Sequence, residues 1–157
     1  MEPGEDTGPD LLRLSAVRER IACKVDELEG RLLNAADFAN LVETNRLPQI
    51  TPAAYVMTGG LRGLAADAAA GLFRQGIAVM VMVVLIVRTA GDPLAERAVD
   101  EATPLVSKII ESVSGWGPDD AVGVFELVQA ELVGAKDGAL VIQIDFALND
   151  QLRITPL

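Results

Sequence analysis

Ile77 to Val87 is an uninterrupted run of eleven apolar residues, and it limits the fold more than any other stretch of the chain. A helix that crosses a membrane needs about 20 such residues, so this run is too short to span one. Its alternation sets Val79, Val81, Val83, Leu85 and Val87 on one face and Met80, Met82, Val84 and Ile86 on the other. Residues 72–88 therefore read as a long strand covered on both faces. One face belongs to helices. The other must meet a loop of the same chain or an adjacent subunit.

The elements around this strand follow from periodicity. Leu11, Leu14, Val17, Ile21, Val25 and Leu28 recur at three- and four-residue intervals, which predicts an amphipathic helix from Asp10 to about Gly30. A short strand at 31–34 and a second, weaker helix at 35–44 follow. Ala53 to Met57 is a short strand, which Gly59, Gly60 and Gly63 are expected to break, and 65–71 reads as a loop. Asp92 and Pro93 open another long helix with the stripe Val99, Ala102, Val106, Ile109 and Val113, interrupted at Pro104. Residues 124–133 and 139–149 form a hairpin around Asp137-Gly138, the last strand having Leu140, Ile142, Ile144, Phe146 and Leu148 on one face.

This order lacks the regular alternation of a doubly wound fold. It predicts an α+β domain: a mostly antiparallel sheet of about four strands with two long helices packed on one face. The domain spans residues 10–157. Residues 1–9, with Glu2, Glu5 and Asp6 among two prolines and two glycines, form a mobile acidic N-terminal arm. Such a start is the reverse of a signal peptide, and with no paired cysteines the cytoplasm is the default compartment.

Composition narrows the chemistry. The 157 residues include no His and one Cys, Cys23, so there is no imidazole acid-base group and no Cys-His or Ser-His pair. The same lack removes disulfide scaffolds and soft-ligand metal cages, and no cofactor is expected. A net charge of −10 opposes direct nucleic-acid recognition, because that affinity rests on cations meeting phosphates. The glycines 59, 60 and 63 lack both the spacing and the following Lys of a phosphate loop and read as a turn. The acids at 26, 27 and 29, at 100 and 101, and at 119 and 120 read as solvated surface.

What remains is a protein that works by contact. Trp116 fills the end of the core or serves as an anchor for a partner. Met80 and Met82 lie on the strand face that the helices leave uncovered, with the loop 59–71 and the N-terminal arm expected to supply part of the cover. Arg74 and Arg88, at the two ends of the long strand, are expected to pair with acids of a neighbouring subunit.

Several stretches together carry a resemblance: Ala35-Ala36-Asp37-Phe38, Thr51-Pro52-Ala53-Ala54-Tyr55-Val56, Arg74-Gln75 at the start of the long strand, Ser114-Gly115-Trp116-Gly117-Pro118, Asp137-Gly138 and Gln143-Ile144-Asp145-Phe146. In order and spacing the chain resembles the tail terminator proteins of long-tailed bacteriophages and prophage-derived particles, the group that includes the lambda minor tail protein U. The resemblance implies a structural virion protein and not an enzyme. Its implied form is a ring, usually six copies, at the head-proximal end of the tail. Such a ring caps the tail tube, ends its growth and joins it to the head connector. It implies the tail tube protein, the connector or neck protein and further copies of the chain as partners, with no membrane. Arg74, Gln75, Met80, Met82, Arg88 and Trp116 are the candidate contact residues. The alternatives are a small adaptor or assembly chaperone of a phage-like or secretion particle, and a small carboxylate-dependent enzyme.

Overall fold

A computed structural model describes residues 10–68, 71–89, 91, 96–136 and 138–155. The acidic arm at 1–9, the Asp92-Pro93 helix start and Asp137 of the last turn lie outside the described residues. The elements run α1 (Leu14–Lys24), β1 (Leu32–Leu33), α2 (Ala35–Thr44), β2 (Ala53–Asp67), β3 (Phe73–Arg88), α3 (Glu96–Val113), β4 (Phe125–Lys136) and β5 (Ala139–Ile154). The strands form one sheet in the order β1-β2-β3-β5-β4.

β3 is the sheet's centre. It pairs antiparallel with β2 on one side and with β5 along its entire length on the other, from Phe73 opposite Ile154 to Arg88 opposite Ala139. Its odd-numbered residues from Ile77 to Val87 are buried under α1 and α3 with Val17, Ile21, Ala102, Leu105, Ile109, Phe125, Ile144, Phe146 and Leu148. Burying each such large side chain stabilises the fold by about 1.5–3 kcal/mol. The even-numbered Val84 and Ile86 belong to a second, smaller cluster with Tyr55, Met57 and Ala139, closed by Phe38 and Leu41 of α2. The Phe38 and Tyr55 rings meet edge to face at 5.4 Å.

The expectation of about four mostly antiparallel strands with two long helices on one face is corrected in three respects. The sheet has five strands and is mixed, because β1 runs parallel to the start of β2, with Leu32 opposite Ala54 and Leu33 opposite Tyr55. Three α-helices are present among the described residues, and α2 lies on the face opposite α1 and α3. Its start is fixed by a capping box: the Asn34 side chain accepts from the Asp37 N–H at 3.0 Å and the Asp37 carboxylate accepts from the Asn34 N–H at 3.1 Å.

The third respect is the length of β2. It does not stop at Met57 but runs on to Asp67 through Gly59, Gly60 and Gly63, and takes in residues 65–67 of the expected loop. The reason is that β3 continues alongside and pairs with most of these residues. The irregularity is absorbed by register shifts between Thr58 and Gly60 and between Gly63 and Ala66. Gly60, at φ +108, takes the backbone conformation that only glycine adopts freely.

The helices also differ from expectation in detail. α1 begins at Leu14, because Arg13 sits at φ +61 with its N–H on the Asp10 carboxylate, and a separate turn of 3-10 helix (Asp26–Leu28) replaces its last part. α3 runs through Pro104 without interruption; Pro104 and Asp100, whose carbonyl a proline at 104 cannot pair, are both on the exposed side of the helix. The buried stripe of α3 is Ala98, Ala102, Leu105, Ile109 and Val113, while Val99 is 47% exposed.

Candidate subunit interface

β2 is exposed from Thr58 to Asp67, while Val81, Val79 and Ile77 opposite its first part stay buried under the helices; beyond them residues 63–67, 73–76 and 151–154 make a three-stranded projection. Arg74 lies at the tip, exposed, opposite Asp67 on one side and Arg153 on the other. Gln75 is half-buried. Its amide donates to the Leu64 carbonyl at 3.0 Å and lies over Gly63, where a Cβ would come within 2.7 Å of Nε2. Gly63 is thus the residue that lets Gln75 clamp the two strands.

Met80 and Met82 are half-buried on the face opposite α1 and α3. Residues 59–67 do not cover them, because that segment is a strand of the same sheet; this corrects the expected cover. Gly59 instead leaves room for the two methionines, an added Cβ there lying 3.0 Å from the Met80 Cβ. Beside Met82 the outer face turns polar. The Gln143 amide donates to both Asp145 carboxylate oxygens, at 3.0 and 3.3 Å, and the Gln129 amide donates to Asp145 at 3.2 Å. The Gln143 amide also approaches the Met82 sulfur at 3.5 Å.

Arg88 is exposed at the other end of β3, its N–H donating to the Thr51 hydroxyl at 3.1 Å. Fourteen residues of strand at about 3.3 Å each put it roughly 46 Å from Arg74. Trp116 is on the helix side, stacked on Phe125 with centroids 5.8 Å apart, and the Arg20 guanidinium lies 5.4 Å from its centroid. The six candidate residues therefore occupy separate regions: Arg74 and Gln75 on the projection, Met80 and Met82 on the outer face, Arg88 at the far end and Trp116 under α1.

Two features escaped the sequence reading. One is a buried ion cluster. Arg13, only 4% exposed, donates to Asp150 at 2.7 Å and to Asp120 at 2.6 Å. Burial works against ionising Asp150, but hydrogen bonds from the Val122 N–H, Arg13 and the Gln151 N–H outweigh it and hold its pKa below the usual aspartate value. Burial likewise opposes the Arg13 charge, and the two aspartates overcome it. The sequence has ten Arg against three Lys, a bias toward planar, multi-donor pairing, but nothing in it selects Arg13.

The other feature is the outer strand. β4 lies at the edge of the sheet, yet Leu127, Val128, Leu132 and Val133 are all exposed on it. An apolar groove of about 340 Å³ runs between β4 and α3, lined by Val99, Val106, Leu132 and Ile142 among others. Among the described residues no cluster of three or more His, Cys, Asp or Glu is placed to hold a metal ion. Nor, among those residues, is any helix long and apolar enough to cross a membrane.

Comparison with known proteins agrees with this picture of a contact protein. A search of solved structures finds a chain of the virion of a native gene transfer agent particle, similar with a TM-score of 0.54 over 90% of this chain and 95% of that one. At 14% identity the likeness concerns the fold. No curated protein matches. The family model described as phage tail terminator protein matches residues 8–156, nearly the whole length, and the chain belongs to that family, whose place is the virion tail.

Proposed function

We propose that this protein is the terminator of a phage-type tail: a ring of identical copies, six in the usual form, seated on the head-proximal end of the tail tube. The ring ends addition of tube subunits and presents its other side to the head connector. The observation that carries this reading is the family match over residues 8–156. As a member of that family the chain is a structural tail protein, and it acts through surfaces rather than through catalysis. A ring needs a different patch on each side of every subunit, because its contacts are heterologous.

Arg74 with Gln75 on the projection and Arg88 at the far end suit contacts above and below the ring, as they lie at opposite ends of the central strand β3. The partners in this reading are the tail tube protein on one side and the connector or neck protein on the other. Met80 and Met82 line the outer face that α2 covers only in part. Trp116 has Phe125 on one side and Arg20 near its ring, and its role in this reading is to hold the corner between α1 and β4. Residues 10–157 act as one unit, and neither nucleic acid nor membrane takes part.

Electron cryomicroscopy of purified particles, with this chain carrying a visible fusion tag, tests the reading. A closed ring of tagged copies at the junction of tail and head is the expected image. Tag density along the whole tube, or at the distal tip, would overturn it.

A further inference from the structure

We infer that the ring is closed by strand pairing, with the free edge of β2 in one copy joined antiparallel to β4 of the next, so that Arg62 faces Glu131 and Leu61 faces Leu132. This rests on the ring reading above and says how the ring would be made.

Both edges are open. Among the described residues β1 pairs with β2 only at Ala54 and Tyr55, which leaves the rest of that side of β2 without a strand, and β4 is last in the sheet on the opposite flank. An open apolar edge is a template for another strand. Register shifts flank both edges in the same way: β2 keeps a regular stretch Gly60–Gly63 between its two, and β4 keeps Gln129–Leu132 between its own. Each edge therefore offers four regular residues. Two of those in β2 are glycines, a residue that in a strand often marks the close approach of another backbone.

The direction of the pairing follows from topology. Three successive antiparallel pairings, β2 with β3, β3 with β5 and β5 with β4, leave β2 and β4 running in opposite senses. Neighbours in a ring differ by a rotation about its axis, so the helix-bearing side of each sheet stays on the same side of the wall. β2 of one copy thus meets β4 of the next antiparallel, with like faces together.

The side chains then select the register. Leu61 lies opposite Val79 and Leu132 opposite Ile142, which places both on the helix-bearing face; they are 41% and 60% exposed. Arg62 lies opposite Ala78 and Glu131 opposite Gln143, both on the other face and both exposed. Setting Arg62 against Glu131 also sets Leu61 against Leu132, at the mouth of the groove lined by Val99 and Val106. One register thus matches a cation to an anion and a leucine to an apolar groove. An opposite-charge pair across a strand joint is favourable, and a like pair is not.

The test uses tails isolated from particles whose terminator carries Cys23→Ser with Arg62→Cys and Glu131→Cys. Directly opposite Cβ atoms lie about 4.5–5.5 Å apart, close enough for a disulfide after small adjustment. An added mild oxidant is expected to give a ladder of covalent oligomers ending at the copy number of the ring. The pair Arg62→Cys with Glu126→Cys, off this register, should give none. Separately, Arg62→Glu and Glu131→Arg should each lower the yield of capped tails at least tenfold, and the two together should restore it. Multiple copies counted on each tail, with no ladder and harmless reversals, would overturn the strand joint and leave the ring standing. A single copy per tail would overturn the ring, and the joint with it.

Discussion

Arg13 and Asp150 meet at 2.7 Å across 137 residues of sequence, with side chains only 5% and 3% exposed. The contact ties the start of α1 to the part of β5 where the sheet leaves its helices. Asp150 also accepts the Val122 N–H at 3.0 Å, so the same carboxylate holds the segment that enters β4. The projection is anchored at its base by one ion pair.

Removing one partner of a buried pair leaves the other charge uncompensated, at a cost of about 3–5 kcal/mol. Asp150→Asn is therefore expected to lower unfolding stability in urea by roughly 3 kcal/mol. Asp120→Asn should cost under about 1 kcal/mol, because Asp120 is largely exposed. The pH dependence has a definite sign. The folded pKa of Asp150 lies below the ordinary 3.8, so its contribution is complete above that value. As pH falls, the unfolded chain takes up the proton first, and the contribution is lost as pH passes down through the folded value. The wild type should lose stability in this range more steeply than Asp150→Asn, as urea titrations at a series of pH values will show.

Trp116→Ala removes the stack on Phe125 and the Arg20 contact, and should cost about 2–3 kcal/mol, less than loss of a fully buried ring. Trp116→Phe should recover about half of that. Thermal unfolding with an assembly assay separates the two roles open to this residue. A variant with unchanged stability that no longer joins tails would make Trp116 an anchor for a partner.

Arg74→Glu and Arg88→Glu change exposed charges and should shift folding stability by less than about 1 kcal/mol. Assembly should respond much more, with the yield of joined particles falling for either reversal. If both variants fold and complement a deletion fully, neither arginine belongs to a contact.

Much of this architecture was legible because periodicity reports burial. The run 77–87 located the central strand, one face of it fully buried and the other buried in part, and a helix was expected at 35–44, where the structure has α2. Gly59, Gly60 and Gly63 misled, because glycine breaks a strand only where no partner strand holds the backbone, and partnering is a long-range property. Pro104 misled for a similar reason: it lies on the exposed side of a helix held by packing of its other face, and that packing is a long-range property. The ion pair of Arg13 with Asp150 had no local signature at all. The six candidate contact residues were found as residue types suited to interfaces, but only the fold shows that they lie in separate regions and that β4 has an open apolar edge.

The central claim is that this protein ends tail growth and makes the tail competent to join a head. Electron microscopy of lysates from a strain lacking it, with tail lengths measured on several hundred particles, is the most direct test. Unjoined heads beside tails of irregular and excessive length are the result expected, reversed by the wild-type chain supplied in trans. Complete particles with tails of normal, uniform length would contradict the claim.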